Sequence, residues 1–147
     1  MPHLLRHLPR AALAAAALLA LSPPSSGQTP PRVGGDRDAH GCIPSAGYSW
    51  SQVRHSCVRP FAVGIRLDPV KKNSLTLSAF LLFRADDDTK VAELFLPGRR
   101  GTVLLKEVPS SGAGKWRNRE FRLSQWKGMY MLDTARGRAL YQGSSAP

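Results

Sequence analysis

Two cysteines and two histidines are the side chains best suited to chemistry in this chain. They repeat one pattern, His40-Gly41-Cys42 and His55-Ser56-Cys57. Two outcomes fit that set. Oxidation of Cys42 and Cys57 would close a loop of about 15 residues, which stabilises a small domain by roughly 3 kcal/mol. Alternatively, the four side chains could hold Zn²⁺. Their order departs from the common Cys-x₂-Cys spacing, and export exposes thiols to an oxidising compartment. The disulfide is therefore the expected outcome, and no metal site is expected.

Other candidates are weaker. Asp86-Asp87-Asp88 could approach Ca²⁺, but no full ligand set follows, and a solvated turn accounts for the three acids. Ser110 or Ser111 as a nucleophile would need a base, and none lies nearby. Beyond residue 27 the histidines are His40 and His55, both in the cysteine segment. The chain shows no nucleophile elbow, no Gly-rich phosphate loop and no paired-carboxylate spacing. It reads as a non-enzyme without a cofactor.

The elements around the cysteines follow from capping and periodicity. Ser49-Trp50-Ser51-Gln52 fits a capping box. Trp50, Val53 and Cys57 then share one helical face, and Pro60 stops the helix. A short helix over residues 50–58, tied back by the disulfide, is predicted.

The beginning of the chain has the layout of a secretory signal peptide: Arg6 and Arg10, an Ala/Leu run over residues 11–21, then Ser22-Pro23-Pro24 and small residues. Cleavage is expected after Gly27. A retained anchor is the alternative, but the apolar run is about half the ~20 residues that a spanning helix needs. The expected product is periplasmic or secreted, with no membrane span. Without residues 1–27 the chain loses two of its 21 Lys and Arg and none of its 10 Asp and Glu, so the formal charge falls from +11 to +9. That balance attracts anionic partners such as envelope polymers, or reflects the general basicity of many exported proteins. Lys71, Lys72, Arg99, Arg100, Lys115, Arg117, Arg119 and Arg122 are scattered, and no block forms a dedicated nucleic-acid motif.

From residue 63 onward the signals are strands: 63–67, 74–84, 91–96, 102–108, 120–126, 129–133 and 138–141. In the second, Leu75, Leu77, Ala79, Leu81 and Phe83 share one face, and Phe80 and Leu82 occupy the other, so both faces must be covered, one of them by the helix. Residues 109–115 read as a Ser/Gly loop. The predicted fold is mainly β, a small antiparallel barrel or curled sheet with one short disulfide-tied helix. The predicted organisation is a signal peptide (1–27), a disordered leader (28–38), the disulfide-tied helical segment (39–62), the β domain (63–143) and a loose tail (144–147).

Within residues 91–143, Leu96-Pro97-Gly98, Ser111-Gly112-Ala113-Gly114-Lys115-Trp116, Trp126-Lys127-Gly128 and Gly137-Arg138-Ala139-Leu140-Tyr141 resemble the motif series of the bacterial inhibitors of c-type lysozyme. The cysteine segment resembles a stretch in uncharacterised exported bacterial proteins. The first resemblance implies a small antiparallel barrel and a partner that is a c-type lysozyme or other cell-wall hydrolase. It also implies insertion of the Ser111-Gly112 loop into the enzyme cleft, with Lys115, Trp116 and Lys127 as further contacts. Trp116 is either an interface anchor or a core residue. The alternative function is a basic envelope module that binds anionic polymer.

Overall fold

The computed structural model describes residues 35–71, 77–109 and 114–145. In chain order its strands are β1 (Ser49–Ser51), β2 (Ser56–Val58), β3 (Ile65–Pro69), β4 (Ala79–Leu82) and β5 (Val91–Phe95). There follow β6 (Val103–Glu107), β7 (Lys115–Arg117), β8 (Phe121–Trp126), β9 (Met129–Thr134) and β10 (Ala139–Ser144). A 3₁₀ turn (Pro44–Ala46) precedes β1, and the short helix α1 (Pro60–Val63) precedes β3.

Strands β3 to β10 run as an antiparallel meander, and β10 pairs with β3 to close an eight-stranded barrel. The expected mainly β antiparallel fold is therefore present, in its closed form. Closure leaves the barrel no free edge. Period-two alternation explains the interior. Leu67, Leu81, Leu94, Leu105, Leu123 and Leu132 point inward from six strands and are fully buried. Phe83, Trp116 and Tyr130 fill the same core. Burial raises the Tyr130 phenol above its ordinary pKa, because the charged form is desolvated.

Several boundaries differ from the sequence reading. Strand β4 starts at Ala79, later than predicted, and residues 72–76 lie outside the described residues. Leu77 falls before the strand and is exposed. Strand β7 occupies the end of the predicted 109–115 loop, because Lys115 and Trp116 pair with Ser124 and Leu123. The predicted loose tail begins as a strand: Ser144 pairs with Met129. The predicted signal peptide and most of the predicted leader lie outside the described residues. The end of that leader is not disordered. Asp38 accepts hydrogen bonds from the backbone N–H of His40 and Cys42, and Asp36 accepts one from Ser45.

The disulfide between Cys42 and Cys57 is present, but the helix predicted over residues 50–58 is not. Those residues form the β1–β2 hairpin, with Trp50 opposite Cys57. The capping-box pattern is used differently. Ser51 Oγ accepts from Arg54 N–H, which closes the hairpin turn. The Gln52 side chain reaches Thr102 instead of its own backbone. Pro60 opens a helix instead of stopping one: it occupies the first turn of α1, where its missing N–H costs nothing. The His-x-Cys repeat holds no metal ligand set, since both thiols are bonded, and among the described residues no group of three or more His, Cys, Asp or Glu is placed to hold an ion. Alkylation without reductant, read by mass spectrometry, is expected to find no free thiol. Reduction of this 15-residue loop should lower stability by about 3 kcal/mol in denaturant titrations.

Candidate functional site

An apolar outer side on a barrel strand calls for something that covers it. Strand β4 is apolar there, and so is β5 apart from Glu93. Phe80 stands opposite Phe95, and Leu82 opposite Glu93, all on the outer face. The hairpin β1–β2 docks over the second pair. Glu93 is fully buried, and its carboxylate collects four donors. Ser51 Oγ–H donates to Oε2 at 2.6 Å, and Gln52 N–H donates to Oε1 at 2.8 Å. Val53 N–H donates to Oε2 at 3.4 Å, and Thr102 Oγ–H donates to Oε1 at 2.7 Å. Arg54 Nε adds a bond to the Phe83 carbonyl. The predicted second cover of this strand is thus supplied mainly by a hairpin anchored on one buried carboxylate.

The first pair remains half-buried. Phe80 and Phe95 form the floor of an open groove of about 1150 Å³ between the disulfide segment and the β5–β6 connection. Tyr48, Trp50 and Phe61 line one wall, and Leu96 and Pro97 the other. Phe61 is 60 % exposed although it is a large apolar ring. Its position depends on Gly47, at φ +80°, where a Cβ would strike the ring. His40 stacks on Trp50 with ring centroids 4.4 Å apart, and the Arg59 guanidinium lies 4.6 Å from the Tyr48 ring.

Two arginines stand at the mouth, and their states differ. Arg99 is committed to Glu120 through two bonds of 2.8 and 3.0 Å. The hydrogen bond from Arg99 holds the Glu120 carboxyl below its ordinary pKa. A lowered folded pKa means that the pair contributes above the unfolded pKa and is lost as pH falls through the folded one. Arg100 is exposed and makes no salt bridge among the described residues. The groove therefore offers apolar planes, a few polar edges, one uncommitted guanidinium and the Asp38 carboxylate, which is held by the N–H groups of His40 and Cys42; this is the chemistry of a binding site.

The residues singled out in the sequence lie elsewhere. Ser111 and Gly112 fall outside the described residues. Lys115 is exposed on β7. Trp116 is a core residue and not an interface anchor, being only 4 % exposed. Its parity on β7 turns it inward beside Phe83 and Tyr130, and its indole N–H donates to the Thr89 carbonyl. Lys127 sits in the two-residue β8–β9 turn at φ +48°, with its ammonium 5.8 Å from the ring centroid of Trp126. Trp126 is 64 % exposed. In an antiparallel meander the start of β7 and the β8–β9 turn fall at the same end of the barrel, so Lys115 and Lys127 share that end.

Sequence reading passed over Glu93, the Phe80–Phe95 floor and Phe61. A signal was present for Glu93: it is the one charge inside Val91-Ala92-Glu93-Leu94-Phe95. No family model matches the chain, and neither a curated protein nor a solved structure matches it.

Proposed function

We propose that this chain is an exported, non-catalytic module that binds an anionic envelope polymer. The observation that supports it best is the excess of uncompensated positive charge on the barrel. Among the described residues three arginines pair with carboxylates: Arg66 with Asp68, Arg84 with Asp88, and Arg99 with Glu120. Lys115, Arg117, Arg119, Lys127, Arg136 and Arg138 are exposed without such a partner. A surface of this kind releases counterions when it meets a polyanion. Affinity for polygalacturonate should therefore fall linearly on a log–log plot against salt, as it does for proteins on nucleic acid. A flat salt profile, or equal binding to an uncharged polymer, would reject the reading.

A second reading is inhibition of a c-type lysozyme. It is favoured by the shared barrel end of Lys115 and Lys127, two of the residues that the motif resemblance marks as contacts. Ser111 could donate to a carboxylate of the cleft, where a retaining glycosidase keeps an acid and a carboxylate. Wild-type protein should then block cell-wall lysis, and Ser111→Ala with Lys127→Ala should weaken inhibition by ~1–3 kcal/mol. Full lysis at excess wild-type protein removes this reading. Unlike polymer binding, inhibition through desolvated contacts keeps most of its affinity in salt.

A further inference from the structure

We infer that the groove over Phe80 and Phe95 is the site that takes acidic pyranose units of an anionic glycan; this rests on the polymer-binding reading above. The hairpin docks on Glu93 and covers only part of an apolar strand face. It leaves two adjacent aromatic rings, Phe80 and Phe95, open to solvent between aromatic and proline walls. Phe61 and Leu77 stand at this opening and are 60 % and 69 % exposed. Keeping that much apolar surface in water is unfavourable, and exposed patches of this kind mark binding grooves.

The occupant must match flat apolar planes, polar edges and one free cation; the groove's carboxylate, Asp38, already accepts from the N–H groups of His40 and Cys42 through Oδ1. A pyranose does so. Its C–H face is apolar and flat enough to lie on an aromatic ring, and its hydroxyls point outward at the rim. Ser49, Gln52 and His40 line the groove where those hydroxyls would emerge. Arg100 supplies a guanidinium fork, which matches a carboxylate in two parallel hydrogen bonds. Arg99 cannot take that part, since Glu120 already occupies its fork.

Single-stranded nucleic acid also stacks on aromatic rings, but it requires a track of cations along the backbone. Here the groove mouth has one uncommitted arginine. A Pro-rich peptide can also dock in an aromatic-lined groove, but its backbone supplies no carboxylate for the Arg100 fork.

The test is titration calorimetry of the purified protein at low salt with α-1,4-linked trigalacturonate, with uncharged maltotriose and an oligo-dT as comparisons. Arg100→Gln and Phe61→Ala should each weaken trigalacturonate binding about tenfold. Lys106→Gln removes the same charge from the outer face of β6 and should change it less than twofold. Wild-type protein should bind maltotriose more weakly, with no further loss in Arg100→Gln. Both tested side chains are exposed, and circular dichroism should show all variants folded. No measurable trigalacturonate binding, binding indifferent to both groove variants, or tighter binding of oligo-dT would each overturn the inference. If polygalacturonate still binds with a steep salt dependence while the groove variants change nothing, this inference falls and the polymer reading stands. If no polyanion binds, both fall.

Discussion

Glu93→Ala is expected to destabilise the fold by about 3–5 kcal/mol, because it leaves several buried donors without an acceptor at once. The loss arises in the donors left behind. Ser51 Oγ–H and the backbone N–H groups of Gln52 and Val53 all point at the carboxylate. Without it they are stranded against an alanine, and each unpaired buried donor costs about 1–3 kcal/mol. Thr102 loses its acceptor as well. Glu93→Gln should fall between wild type and Glu93→Ala: it keeps one carbonyl acceptor but presents an NH₂ to groups that are themselves donors. Equilibrium denaturation reads the stability. Hydrogen exchange reads the site, since the amides of Gln52 and Val53 should lose protection before those of the barrel strands. An alanine variant within 1 kcal/mol of wild type would mean that the carboxylate is not the anchor of the hairpin.

Gly143→Ala is expected to cost about 3 kcal/mol or more through a different cause. A Cβ at this position would run into the backbone carbonyl of Arg66 and the Leu67 side chain. A backbone oxygen in a strand cannot turn aside as a flexible side chain can, so the β3–β10 seam must separate or shift register. Overpacking in a core generally costs about 1–3 kcal/mol, and here the obstacle is the ladder that closes the barrel. Gly137→Ala is the appropriate contrast. It lies at φ +85° with nothing within 4 Å, so its cost is the left-handed conformation alone, about 1–2 kcal/mol. Thermal unfolding of the two variants should rank them in that order. A Gly143→Ala protein with the smaller loss would show that the seam yields.

The sequence by itself determined a good deal. Short runs bounded by turn residues marked 102–108, 120–126 and 129–133 as strands, and these appear as β6, β8 and β9 within one or two residues. The break between strands 120–126 and 129–133 fell on Lys127-Gly128, and these two residues form the turn, both with φ > 0 as a type I′ hairpin loop requires. The even cysteine count in a chain with a secretory start read as the disulfide that is present.

Tertiary structure decided the rest, and in each case a distant partner outweighed a local rule. Local chemistry favoured a helix after Ser49. Glu93, more than forty residues away in sequence, instead takes the N–H groups of Gln52 and Val53, and the segment becomes a hairpin. Local composition left Trp116 open to either role. Its pairing with Leu123 set its parity, and parity on a closed barrel decides inside from outside. The groove was the least legible feature. Its floor comes from two strands, its wall from the disulfide segment and its cation from a connection, and residues that meet only across a fold leave no periodicity along the chain.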